Sequence, residues 1–310
     1  MKGLAVMPQR QPTHHAGRRS WPGVFKGLGA ALALSVVAAL PGCGGSPQQP
    51  VDSVYNADMS AGTTVFDIGH AAQAVLKYQE AYNRAIVADN APLLYAAAVN
   101  LATAQLASDD LPAVRQTLAM ATTALKLRNW RFMGRLRLIG AAVALRQQNW
   151  QSALEQARAA AGEATAAQAA TTSTTLQEGE RATQQMAVAF EGLAANGLGD
   201  RALLAASLES LSRDGALAAP GLLAELQADM ALMNGQPAQA LQAAGQAVAA
   251  YRQGGDFRSM RRALLVEATA AQRSQPAQLG LASQLRAQAA ASATAEQAAN
   301  SVLNGTRAPS

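Results

Sequence analysis

Residues that commonly carry catalysis or bind metals are scarce in this chain of 310 residues. Cys43 is the one cysteine, and the three histidines are His14, His15 and His70. One cysteine cannot form an internal disulfide, and a zinc site needs several histidine or cysteine ligands held together. The composition therefore argues against a Cys–His nucleophile, a histidine-based triad and a metal centre. We place His70 at a helix end or on the surface.

Acidic pairs occur at Asp109-Asp110 and at Glu178 with Glu180. Two neighbouring carboxylates can act as general acid and general base. Both pairs, however, lie at predicted helix starts, where the helix dipole favours carboxylates. Gly197-Leu198-Gly199 lacks the preceding strand and the remaining fingerprint of a phosphate-binding loop. We therefore predict no enzyme activity and no cofactor.

Basic and aromatic side chains alternate near the middle of the chain. The set is Arg128, Trp130, Arg131, Phe132, Arg135 and Arg137. On a helix, Arg128, Arg131 and Arg135 would share a face that could hold an acidic peptide or a phosphate. We favour a solvated face with the aromatic rings packed beneath it. A second basic cluster allows the same two interpretations and consists of Arg258, Arg261 and Arg262.

The N-terminal segment has the layout of an export signal. Residues 1–26 contain five lysines and arginines and no acidic residue, and an apolar run of 14 residues follows at 27–40. That run is too short to span a bilayer as a helix, which takes about 20 residues. A basic segment followed by a short apolar one is typical of a secretory signal peptide. The apolar run leads directly to Leu40-Pro41-Gly42-Cys43.

These four residues resemble the lipobox of a bacterial lipoprotein signal, in which an apolar residue and a small residue precede the cysteine. The resemblance implies a signal peptide over 1–42, cleavage between Gly42 and Cys43, and acylation of Cys43, which would anchor the chain in the lipid bilayer. Pro41 departs from the family, which usually has Ala or Ser there. Gly44-Gly45 follows where an aspartate would retain many such proteins in the inner membrane, so the implied location is the outer membrane, facing the periplasm.

Two alternatives concern the signal itself. Arg18-Arg19 with Trp21 resembles a twin-arginine signal, but Pro22 stands where a second apolar residue is usual. We favour general secretion, because the chain has no cofactor motif that would call for export of a folded protein. Translation could also start at Met7.

The positive net charge of the chain comes entirely from the predicted signal peptide. The whole sequence has a formal net charge of +5, from 25 basic and 20 acidic residues. Five basic residues and no acidic residue lie in 1–42, so the remaining chain has 20 of each and a net charge of zero. We therefore predict no nucleic-acid partner.

The body of the chain has helical periodicity. We predict a flexible tether over 43–62, a helical domain over 63–290 and a flexible tail over 291–310. Apolar residues recur at spacings of three and four. One such stripe consists of Val75, Tyr78, Tyr82 and Ile86. Asn90-Ala91-Pro92 and Asp110-Leu111-Pro112 place a capping side chain just before a proline in a first helical turn. The fold class is therefore all-α.

Small residues recur at spacings of 12 and 7 residues across successive predicted helix pairs. The triples are Ala102/Val114/Ala121, Ala141/Ala153/Ala160, Gly192/Leu204/Leu211 and Ala228/Ala240/Ala247. Such positions allow helix axes to approach closely. The turns Asn149-Trp150 and Gly235-Gln236-Pro237 occupy equivalent places between the helices, and the pattern resembles the tetratricopeptide-repeat family. We predict a degenerate α-hairpin repeat solenoid, with a loop or frayed helix over 162–180; the alternative is an irregular alanine-rich bundle.

The repeat resemblance implies a concave groove lined by the first helix of each pair. Carried over, the partner-binding residues are Arg135, Leu138 and Arg146 in one repeat and Glu225 and Asp229 in another. A groove with basic, acidic and apolar parts suits a helix or an extended peptide. The expected function is a lipid-anchored scaffold or assembly factor that binds a cell-envelope protein or peptide, for example in secretion, pilus or outer-membrane assembly. The alternatives are a substrate-binding or enzyme-accessory lipoprotein that holds a ligand between its helices, and a purely structural spacer.

Overall fold

The computed structural model describes residues 52–213 and 220–303. Those ranges contain twelve helices. They are α1 Ser53–Asp67, α2 Ala71–Val87, α3 Ala91–Ala107, α4 Leu111–Leu127, α5 Gly134–Arg146, α6 Trp150–Ala170, α7 Thr174–Leu198, α8 Arg201–Arg213, α9 Pro220–Met233, α10 Pro237–Gly254, α11 Phe257–Arg273 and α12 Leu279–Leu303. The predicted signal peptide, Gly42 and Cys43 lie outside the described residues.

The helices pair in sequence order as six antiparallel hairpins, from α1–α2 to α11–α12. Consecutive odd-numbered helices from α3 to α11 also contact one another. The hydroxyl of Tyr55 in α1 donates to the carbonyl of Leu93 in α3 at 2.9 Å, which extends this series to α1. The odd-numbered helices therefore form an inner layer and their hairpin partners an outer one. This is the predicted all-α hairpin-repeat solenoid.

Eight of the connections between helices use the same turn. A residue with positive φ ends one helix, and the following residue donates its backbone N–H to a carbonyl five residues back, as Asn90 does to Ala85 at 3.3 Å. This is the Schellman arrangement, which satisfies the carbonyls left free at a helix end. Asn90 then caps the next helix, since its side chain accepts from the N–H of Leu93 at 3.1 Å. One short segment thus stops one helix and starts the next.

The small residues of the predicted repeat are buried between the helices. Every member of the four triples named above is buried in the structure. A fifth triple with the same spacings, Gly62/Ala74/Ala81, is buried between α1 and α2. A Cβ atom on Gly62 would lie 2.6 Å from the ring of Tyr78. The repeat therefore begins one hairpin before the first predicted triple, and its first helix starts at Ser53, ahead of the predicted boundary at residue 63.

The predicted tether over 43–62 is wrong in its C-terminal part, because α1 begins at Ser53. Asp52 caps this helix by accepting from the N–H groups of Val54 and Tyr55 at 3.1 and 2.9 Å. Asp52 also pairs with Arg84 of α2 at 2.9 Å. The segment has few large apolar residues and shows no clear stripe, but tertiary contacts of Tyr55 and Asp52 hold it against the next helices.

Two further predicted irregular segments are helical. The stretch 162–180 is interrupted only at 171–173, between α6 and α7. The predicted tail over 291–310 is helical as far as Leu303 in α12. Alanine has the highest helix propensity of all residues, so an alanine-rich segment of low complexity continues a helix once one face packs against a neighbour.

The arginine stripe does not exist in the predicted form. Arg128 follows the end of α4, and Arg135 lies in α5, so a break at residues 128–133 separates them. Arg128 pairs with Asp89 at 2.6 Å, and Arg135 is buried. The expected shared face of Arg128, Arg131 and Arg135 is therefore absent.

No helix in 52–213 or 220–303 has the length and apolar character needed to cross a membrane.

Candidate functional site

A cavity of about 590 Å³ lies on the inner layer of the solenoid. Its walls come from the C-terminal ends of α3, α5 and α7 and from α9 and the start of α11. Helices that are distant in sequence therefore meet around one space. This follows from the small rotation between successive hairpins, which accumulates along a repeat array.

Much of the cavity wall is apolar. The apolar side chains that line it are Leu106, Leu111, Leu145, Trp150, Met186, Phe190, Leu193, Leu222 and Val266. Trp150 packs over Gly197, where a Cβ atom would lie 2.2 Å from the indole ring. A wall of this kind holds the apolar part of a ligand, and polar groups at a few places set its orientation.

One polar group is a buried carboxylate held by an arginine. Glu225 in α9 has 1% of its side-chain surface exposed, against 43% for Arg262 in α11. The guanidinium donates to both oxygens of Glu225, from Nε to Oε1 and from Nη2 to Oε2, the second at 2.7 Å. The hydroxyl of Tyr251 also donates to Oε2, at 2.7 Å. Glu225 thereby fixes the orientation of Arg262 at the cavity wall.

Asp229 lies one helical turn after Glu225 and is also buried. Burial, together with the nearby charge of Glu225, raises the pKa of Asp229 from 3.8 to about 8, against the opposing effects of Arg262 and a hydrogen bond with Asn196. Asp229 is therefore protonated at neutral pH. A neutral carboxyl group, that of Asp229, thus lies beside Glu225 in the cavity wall.

A second polar group in the cavity wall is a cluster of charged side chains around Asp109. Oδ1 of Asp109, in the turn between α3 and α4, accepts from Arg146 at 3.3 Å and from Arg258 of α11 at 2.5 Å. Arg258 also pairs with Glu296 of α12 at 2.9 Å. Asp109 and Arg258 are 149 residues apart, so this cluster joins the second hairpin to the last. Burial, with Arg258 close by, lowers the pKa of Arg146 to about 10, which leaves it cationic at neutral pH.

Three of the five predicted groove residues line this cavity: Arg146, Glu225 and Asp229. The other two do not. Leu138 packs against Ala160 and Ala187 in a buried cluster. Arg135 is buried and lies 3.8 Å from Glu180. Both lie toward the other end of α5, away from the C-terminal end that reaches the cavity.

Sequence reasoning missed Asp109 and the arginines of α11 as parts of one site. Asp110 does cap α4 as expected, by accepting from the N–H of Ala113 at 3.1 Å. Asp109 has a φ of 65° instead, and it points toward Arg146 and Arg258. The cluster of three arginines in α11 was the available signal, but its partners come from helices more than thirty residues away.

His70 directly precedes α2 and makes no side-chain capping bond. In the part of the chain that the structure describes, no three histidine, cysteine, aspartate or glutamate side chains converge as metal ligands would.

No protein family, curated protein or solved structure was found to match this chain.

Proposed function

We propose that this protein is a lipid-anchored binding protein of the cell envelope that holds a short segment of a partner protein in the cavity of its inner layer. The lipobox-like residues ending at Cys43 support the anchor, the outer-membrane location and the orientation toward the periplasm. The cavity supports the binding role, because five inner helices contribute to one partly apolar space. This convergence is the observation that carries the proposal.

The size of the cavity limits what it can receive. A helix with its side chains is about 10 Å across and rises about 5.4 Å per turn, so one turn occupies roughly 400 Å³. A cavity of about 590 Å³ accepts between one and two turns, or a few residues of an extended chain. The partner therefore inserts an end or a short loop, and a long helix laid along the whole inner layer is not part of the proposal.

A small-molecule ligand is the second candidate, and the contact between Asp109 and Arg258 favours it. This contact links the second hairpin to the last, and both of its side chains line the cavity, so they bound the space on that side. Cavities of 300–1,000 Å³ are about the usual size for small-ligand sites. Under this alternative the protein is a substrate-binding or enzyme-accessory lipoprotein.

No catalytic step is part of the proposal. Glu225 accepts hydrogen bonds from Arg262 and Tyr251, so it serves as a structural acceptor. Asp229 bonds to Asn196 and is buried.

Site-specific photo-crosslinking in cells tests the binding role. A photoreactive residue replaces Phe190 in the cavity or, as a control, Leu76, which is 66% exposed on α2. We expect a crosslinked partner from position 190 and none from position 76. Crosslinks from position 76 alone would place the partner elsewhere on the protein.

Fractionation tests the anchor separately. Cys43→Ser removes the acylated thiol, and we expect the protein to move from the membrane fraction to the soluble periplasmic fraction. Two or more acyl chains are needed for stable anchoring, since each buried methylene contributes about 0.8 kcal/mol. Retention of Cys43→Ser in the outer membrane would contradict the lipid anchor.

A further inference from the structure

The carboxyl groups that line the cavity already have donors from the protein. Glu225 accepts from Arg262 and Tyr251, and Asp109 accepts from two arginines. Asp256 caps α11 by accepting from the N–H of Ser259 at 3.0 Å. A ligand that brought only hydrogen-bond donors would have to compete with each of these contacts.

Arg262 has donor capacity left. Its bonds to Glu225 use Nε and Nη2, and within the described residues Nη1 makes no hydrogen bond. Its side chain is 43% exposed and lines the cavity. A guanidinium presents its donors in a rigid planar fork, so fixing one edge on Glu225 also fixes the direction of the Nη1 edge. Arg262 is therefore oriented before any ligand binds.

The two acidic side chains nearest the charge of Arg262 are already engaged, since Glu225 is paired with Arg262 and Asp256 caps α11. Asp229, which lies beside Glu225, keeps its proton at neutral pH because burial raises its pKa to about 8. Arg146 and Arg258 line the same cavity, and their charges remain positive. The apolar wall at Met186, Phe190 and Leu222 faces the same space.

We propose that the cavity binds its ligand through a carboxylate carried on an apolar body. The carboxylate accepts from the free Nη1 edge of Arg262, and the apolar body lies against Phe190, Met186 and Leu222. This inference rests on the proposed function, since it takes the cavity to be the binding site. The same chemistry is supplied by the C-terminus of an apolar peptide segment or by a free amphipathic acid.

Pairs of probes that differ only in whether they carry a carboxylate test this inference on the cavity with its native lining residues. The mature chain with Cys43→Ser is titrated with a pool of tetrapeptides of Leu, Phe and Val that end in a free carboxylate, and with the same pool ending in an amide. Decanoate and decanol form a second pair with the same comparison. Calorimetry gives the affinities. Fluorescence in a Trp130→Phe background, where Trp150 is the one tryptophan of residues 43–310, reports whether each probe binds at the cavity that Trp150 lines.

We expect the acid of at least one pair to bind ten-fold or more tightly than its neutral counterpart, because a hydrogen bond to a charged group contributes more than one to a neutral group. A preference limited to the peptides identifies a chain terminus as the ligand, and a preference limited to decanoate identifies a free acid. Equal affinities within both pairs, or no binding by any probe, would overturn the carboxylate inference.

Variants locate the contact. Arg262→Gln alone leaves Glu225 buried without its cation, so the double variant Glu225→Gln with Arg262→Gln is the better probe, since it keeps polar side chains of similar size. We expect it to lose the preference for acids. Arg213→Gln is the control, because Arg213 is 71% exposed on α8 outside the cavity. A preference that survives the double variant would place the carboxylate elsewhere.

These outcomes are separable from those of the proposed function. If neutral probes bind in the cavity as tightly as acids, the binding role stands and only the carboxylate is wrong. If crosslinking from position 190 captures no partner and no probe changes the fluorescence of Trp150, the cavity itself is not the binding site.

Discussion

Replacing Asp229 with asparagine should stabilise the protein, and the gain should depend on pH. Asp229 has 4% of its surface exposed, and burial raises its pKa from 3.8 to about 8. Its surroundings include Glu225, Arg262 and Asn196, and of these only Arg262 and Asn196 favour the ionised form. Asparagine keeps the size and hydrogen-bonding capacity of the neutral carboxyl group and removes the titration.

The sign follows from proton linkage. Below about pH 4 the carboxyl group of Asp229 is protonated in both the folded and the unfolded chain, so it adds no pH dependence. Between about pH 4 and pH 8 the unfolded chain ionises while the folded chain stays protonated, so each pH unit lowers the free energy of unfolding by about 1.4 kcal/mol. Above pH 8 both states are ionised and the difference is constant.

The magnitude at neutral pH follows from the same shift. Between pH 3.8 and pH 7 the accumulated cost is on the order of 4 kcal/mol. This is a large fraction of the usual stability of a domain, which is about 5–15 kcal/mol. Asp229→Asn should therefore be close to the parent protein at pH 4 and more stable by a few kcal/mol at pH 7.

Urea unfolding at several pH values between 4.5 and 8.5 measures the effect, with helical circular dichroism as the signal. Glu209→Gln is the matched control, because Glu209 is 73% exposed on α8 and should change little across this range. Parallel pH profiles for the parent and Asp229→Asn would refute the assignment of a protonated Asp229. Destabilisation by Asp229→Asn at pH 7 would show that its carboxylate form is required.

Two further substitutions and one control test contacts at the cavity, all by thermal unfolding. Gly197→Ala should cost about 1–3 kcal/mol, because its Cβ would overlap the indole of Trp150. Gly162→Ala is the control and should gain about 0.5–1 kcal/mol, because Gly162 has open space around it in α6. Equal effects of the two substitutions would contradict the contact between Gly197 and Trp150. Glu225→Ala should cost about 1–3 kcal/mol, because it leaves the buried Tyr251 hydroxyl without its acceptor and Arg262 without its partner. A loss below about 0.5 kcal/mol, typical of a surface ion pair, would contradict the buried contact.

The repeat architecture was predictable because its signals are local. The spacing of 12 residues covers the end of one helix, the short connection and the first turn of the next helix, and the spacing of 7 covers two further turns of that helix. Ala141, Ala153 and Ala160 are all buried where that spacing predicts. The same spacing at Gly62, Ala74 and Ala81 was present in the sequence, and it marks the first hairpin, whose first helix the predicted boundary at residue 62 divides.

The candidate site was predictable only in part. The repeat pattern predicts which face of a helix points to the groove, but it does not predict which positions along that helix reach the cavity. Arg135 and Arg146 both lie on α5, but only Arg146 lies near the end that reaches the cavity. Arg135 instead lies 3.8 Å from Glu180 of α7. Burial of Leu138 between helices likewise depends on the neighbouring hairpin, which periodicity in a single helix does not describe.

The sequence by itself determined the all-α class and the central helices and turns, because each depends on residues a few positions apart. It did not predict the start of α1 or the helical part of the tail. Only the tertiary structure decided that Asp109 meets Arg258 across 149 residues and that Glu225 orients Arg262 at a cavity wall. The physical reason is that the rotation from one hairpin to the next is small and accumulates over the array. No local sequence pattern contains the accumulated rotation of the hairpins. The charged groups that meet around the cavity can therefore be identified only from the complete array.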